Sequence, residues 1–119
     1  MVETPRLPGT QPGTVVVTLP GEIDLANADR VGADLNAAFG PGVGVVVADL
    51  SGTRFCDSSG IRELVLAHKR AGASNTVFRV VVGPGEVRRV LEILRLDTVL
   101  ALYPRLDVAL VTGDRGPEQ

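Results

Sequence analysis

A chain of 119 residues, 45% of them hydrophobic, has apolar surface for one core and too little length for several. With 12 basic residues against 14 acidic ones and 3% aromatics, it has neither the basic excess nor the stacking surface of a nucleic-acid binder. A single cysteine and a single histidine exclude an intrachain disulfide and a multi-cysteine metal site, and no run approaches the roughly 18 apolar residues of a membrane span.

Residues 1–13, MVETPRLPGTQPG, carry three prolines and leave room for one irregular edge strand at most. They lack the cationic start and apolar middle of a signal peptide, so the expectation is a soluble cytoplasmic protein. Residues 14–19, TVVVTL, form a β-branched run that reads as a buried strand, broken by Pro20-Gly21. Asp24 is a good N-cap for the next segment, where Ala28, Val31, Leu35 and Ala38 recur at helical spacing and predict a helix over 25–39. Gly32 weakens that helix locally, and Gly40-Pro41-Gly42 stops it. Residues 43–49 are the second apolar strand.

A polar loop then ends in Asp57-Ser58-Ser59-Gly60, directly before an amphipathic helix. Ile61, Leu64, Val65 and His68 line one face of it. Arg62, Glu63, Leu66, Lys69 and Arg70 lie mostly away from that face, and Gly72 ends the helix. Residues 77–82 read as the third strand and Gly83-Pro84-Gly85 as a turn. Val87, Val90, Leu91 and Leu94 mark a third helix. Residues 98–102 read as a short fourth strand stopped by Tyr103-Pro104, residues 106–111 as one or two helical turns, and 113–119 as a disordered tail. Strands alternating with helices predict a single α/β domain over 14–112. Its sheet is mixed but largely parallel, with four to five strands and packed helices.

The chemistry concentrates at the second helix. Two hydroxyls stand where unpaired N–H groups and the helix dipole favour negative charge, so a phosphate on one of them is well accommodated. The segment is a candidate phosphorylation switch; plain helix capping is the alternative. A serine nucleophile finds no support. Cys56 occupies the place where a G-x-S-x-G elbow needs glycine, and His68 lies ten residues along the helix, roughly 15 Å away at the helical rise. Asp49 and Asp57 invite a receiver-type phosphoaspartate reading, but no adjacent acid pair follows the first strand, and both residues suit loop capping. Gly83-Pro84-Gly85 matches no nucleotide-binding loop. Cys56 reads as a small packed residue beside Phe55, and Arg88, Arg89 and Arg95 as a solvated basic face. Leu66, between Arg62 and Lys69, is a candidate partner anchor. No cofactor or metal is expected.

Taken in order, Gly21-Glu22-Ile23-Asp24, Asp49-Leu50-Ser51, the run Phe55-Cys56-Asp57-Ser58-Ser59-Gly60-Ile61, the segment 84–94 and Tyr103-Pro104 resemble the STAS family. The likeness is to its stand-alone bacterial anti-sigma factor antagonists and spans about residues 14–110. It implies a small domain with a mixed sheet and packed helices. It also implies partner switching: the bare antagonist binds an anti-sigma factor that is also a serine kinase, phosphorylation releases it, and a serine phosphatase restores binding. Ser58 matches the acceptor. In that reading Asp57 orders the loop and presents Ser58, Ser59 caps the helix, and Gly60 permits close approach by the partner backbone. Asp24, Arg62, Leu66 and Lys69 are the expected partner contacts. The expected chain is not an enzyme, touches neither nucleic acid nor membrane, and is a monomer or weak dimer. An unphosphorylated STAS scaffold or ligand-binding module is the rival. Arg95 departs from the family where a glycine often ends the third helix.

Overall fold

Valine-rich runs build the centre of the molecule, and the computed structural model describes residues 13–111. In chain order the elements are β1 (Thr14–Thr18), β2 (Glu22–Ile23), α1 (Ala28–Ala38), β3 (Val45–Asp49), β4 (Phe55–Cys56), α2 (Ser58–Ala73), β5 (Val77–Val81) and α3 (Glu86–Ile93). A 3-10 turn over Leu96–Thr98, β6 (Ala101–Tyr103) and α4 (Leu106–Val111) complete them. One sheet has the order β1-β3-β5-β6, and every strand pairing among the described residues is parallel. The α/β single domain predicted from the sequence is the fold observed. Residues 1–12 and 112–119, with the expected edge strand and tail, lie outside the described residues.

The sheet sorts its side chains by the two-residue period of a strand. Val46, Ala48, Phe78 and Val80 pack with Leu35, Leu64 and Leu91 under α1, α2 and α3. Val16, Val47 and Val81 point the other way and meet Ala109 and Leu110 of α4. Val46, Val47 and Ala48 are each 0% exposed, which is why β3 reads as an unbroken apolar run: both its faces are covered. Buried Arg79 ties α4 to the sheet. Its guanidinium donates to the Ala109 carbonyl at 2.8 Å and sits 5.8 Å from the Tyr103 ring centroid.

Several boundaries move from the sequence reading. Helix α1 starts at Ala28 rather than 25, with Asn27 at the N-cap position. Asp24 does not cap it through its side chain. Its carboxylate takes the Ala26 N–H at 2.9 Å, and its carbonyl accepts from Asn27 and Ala28, closing a turn ahead of the helix. Helix α2 runs past Gly72 to Ala73, and Asn75 then takes the left-handed conformation at φ 56°. Leu94 lies beyond α3 and is exposed, while Val87 and Leu91 are the residues that helix buries. The fourth strand begins at Ala101 rather than 98. Arg95 adopts φ 64° and its carbonyl accepts the Thr98 hydroxyl at 2.7 Å, so residues 96–98 coil before the chain can extend. Arg95 thus ends the helix in a glycine-type conformation without being glycine.

Candidate functional site

A ladder of only two residue pairs sets the site. Strands β2 and β4 run parallel, with Glu22 opposite Phe55 and Ile23 opposite Cys56. The sequence reading missed it, since two residues give no periodicity. The Ile23 carbonyl then accepts the Asp57 N–H at 3.0 Å, so the strand leads straight into the helix cap.

Asp57 is that cap. One carboxylate oxygen accepts the Ser59 N–H at 2.9 Å, the Gly60 N–H at 3.3 Å and the Ser59 hydroxyl at 2.5 Å. The Ser59 hydroxyl, foremost, with the N–H groups of Gly60, Ser59 and Leu25, holds the Asp57 carboxyl below its ordinary range. Ser59 is therefore the residue the cap holds, not the cap expected from the sequence. The two hydroxyls differ in consequence. Ser59 is half-buried and engaged. Ser58 is exposed at the first helical position, and among the described residues its hydroxyl makes no hydrogen bond.

Gly60 also takes a different role from the expected one. It is buried and faces inward: a Cβ there would stand 2.5 Å from Ile23 Cγ2 and 2.6 Å from Cys56 Sγ. Its bare Cα lets α2 sit down on the β2–β4 ladder, and it presents nothing to a partner backbone. Cys56 packs beneath it, and burial, helped by the Asp57 charge, pushes its thiol up to about 11. Such a thiol is inert at neutral pH.

On the outer side of α2, Arg62, Leu66 and Lys69 are all exposed, as the helical spacing requires. Two apolar side chains that were not among the partner contacts expected from the sequence adjoin the same end: Phe55 at 49% exposure and Leu25 at 82%. The signal for Phe55 was the strand period, since a buried Cys56 turns its neighbour outward. Asp24 is half-buried beside this end, engaged with its own turn. Asp49 is buried at the end of β3 and holds the Ser51 N–H at 2.9 Å, a loop-ordering role. Arg88 pairs with Glu92 at 2.9 Å on α3, and Arg89 and Arg95 are exposed. Among the described residues no three of Asp, Glu, His and Cys gather as a cation site, and no helix is long and apolar enough to cross a membrane.

A free hydroxyl at a helix N-terminus is a physically sound place for a phosphoryl group: it is accessible, and the dipole receives the added charge. A STAS domain family model matches residues 6–109. The anti-sigma-F factor antagonist RsfB of Mycobacterium tuberculosis is 32% identical over 104 residues, which cover 87% of this chain and 84% of that protein. The crystal structure of an anti-sigma factor antagonist from Mycobacterium paratuberculosis aligns with a TM-score of 0.76 at 29% identity, covering 88% and 95% of the two chains. A sulfate transporter family protein from Wolinella succinogenes aligns at 0.75 with 15% identity over 85% and 84%, a likeness of fold alone.

Proposed function

The chain belongs to the STAS domain family, alongside anti-sigma factor antagonists, and from that premise we propose that it is a partner-switching antagonist controlled by phosphorylation of Ser58. The unphosphorylated form binds an anti-sigma factor with serine kinase activity and thereby frees a sigma factor. The kinase modifies Ser58 and binding ends; a serine phosphatase restores it. The protein is then a substrate and a binding partner in the cytoplasm, not an enzyme.

One observation carries this reading: the cap divides the two serines, engaging Ser59 on Asp57 and leaving Ser58 exposed with an unbonded hydroxyl. The partner surface is the outer row of α2, with Arg62, Leu66 and Lys69, extended by Phe55, Leu25 and Asp24 around the cap. A phosphoserine brings about −1.5 to −2 charges near neutral pH. The helix N-terminus takes that charge locally, so the fold is kept while a partner packed on bare Ser58 meets bulk and a desolvation cost. A hundredfold loss of affinity needs only about 2.7 kcal/mol, within reach of one misplaced charge.

Phosphosite mapping after incubation with the kinase-type anti-sigma factor tests the proposal. Ser58→Ala should take up no phosphate yet bind the partner, whereas Ser59→Ala should still be modified. Incorporation that survives Ser58→Ala and disappears in Ser59→Ala would assign the switch to Ser59, and acyl phosphate on an aspartate would replace this mechanism with a receiver-type one.

A further inference from the structure

We infer that Arg62 is the intramolecular receiver of a phosphate on Ser58, so that phosphorylation withdraws this guanidinium from the partner surface. The inference rests on the reading of Ser58 as acceptor and adds a second action to it.

Ser58 opens α2 and Arg62 follows four residues later, both exposed. Residues so spaced are neighbours on a helix surface, with Cβ atoms about 5–6 Å apart. Helical side chains lean toward the N-terminus, which directs the long Arg62 stem toward Ser58. Arg62 is also uncommitted: among the described residues it enters no ion pair, whereas Arg54, Arg88 and Arg105 pair with Glu22, Glu92 and Asp107. The acids around this end of α2 are occupied or directed elsewhere. Asp57 serves Ser59 and Gly60, Asp24 accepts from Ala26, and the Glu63 carboxylate lies over Gly32 of α1.

A phosphate at position 58 changes this balance. An anion placed four residues before a cation is the favourable order on a helix, and a guanidinium fork can hold two phosphate oxygens at once. The Ser58 N–H, one of the unpaired donors of the first turn, supports the same group. The bare protein then offers Arg62 to an acidic side chain on the partner, and the phosphorylated protein has already used it. Loss of binding follows from a contact removed as well as from a charge introduced.

The test encodes phosphoserine directly at position 58 and follows its second ionisation by phosphorus NMR, with Arg62, Arg62→Gln and Arg62→Lys compared. A free phosphoserine titrates at about 6. Asp57 and Asp24 act to raise that value, and the helix N-terminus and Arg62 to lower it; only the last differs among the three proteins. The pKa in Arg62→Gln should lie above that with Arg62 by roughly 0.3 unit or more, as expected of an exposed pair, with Arg62→Lys between them. The gap should narrow as salt is added. Equal pKa values in all three proteins would overturn the inference. Because the phosphoserine is encoded, this result is independent of whether a kinase uses Ser58, which the mapping above decides separately.

Discussion

Replacing Gly60 by alanine should destabilise the domain, while the same change at Gly32 should not, although both glycines are buried in helices that pack on the core. At Gly60 the new methyl would meet Ile23 Cγ2 at 2.5 Å and Cys56 Sγ at 2.6 Å. Ile23 is fully buried and β-branched, held by the ladder and the core, so it has nowhere to swing. Overpacking of this kind costs about 1–3 kcal/mol, and the helix-propensity gain of alanine returns at most about 1 kcal/mol. The net loss should be about 1–2 kcal/mol, and each kcal/mol lowers the melting temperature of a domain this size by roughly 4–8 °C. At Gly32 the methyl would meet the end of the Glu63 side chain, which can move aside. There the propensity gain dominates, and stability should hold or rise by up to about 1 kcal/mol. Urea unfolding of both variants measures the contrast, and Cys56→Ala on the Gly60→Ala background should recover part of the loss by removing one of the two close contacts. An unchanged Gly60→Ala, or a Gly32→Ala that loses as much, would refute the packing argument.

Leu66→Glu should leave the domain folded, since the side chain is 40% exposed, and weaken anti-sigma factor binding at least tenfold, or about 1.4 kcal/mol; equal affinity by calorimetry would remove the outer face of α2 from the interface. Burial raises the folded Cys56 thiol from 9.0 to about 11, so above pH 9 the unfolded chain ionises first, and stability should fall as pH climbs from about 9 to about 11. That part of the decline should vanish in Cys56→Ala; parallel pH profiles for the two proteins would contradict it. Arg95→Gly should raise stability by about 0.5–1 kcal/mol, because the left-handed conformation at φ 64° costs a side-chain residue about 1–2 kcal/mol and glycine gives back part of that gain in unfolded-state entropy. A lower melting temperature for that variant would show that Arg95 makes a compensating contact.

Whatever is written in local periods was legible in the residues alone. The valine runs at 14–18, 45–49 and 77–81 alternate between two cores because a strand turns successive side chains to opposite faces. The exposed row of Arg62, Leu66 and Lys69 follows equally from helical spacing. The start of α2 was legible too, since its capping chemistry is confined to four consecutive residues. The remaining features come from contacts between distant segments. Which residue of Asp57-Ser58-Ser59 caps, which is held and which is free depends on where the Ile23 carbonyl fixes the Asp57 backbone, and those two residues are far apart in the chain. The two-pair β2–β4 ladder carries no period of its own, and the inward role of Gly60 exists only because that ladder lies beneath it. The start of β6 waited on a left-handed arginine that no local preference favours. Periodicity reports the surroundings a residue makes for itself along the chain; the division of labour at Ser58 is set by neighbours that only the folded chain brings together.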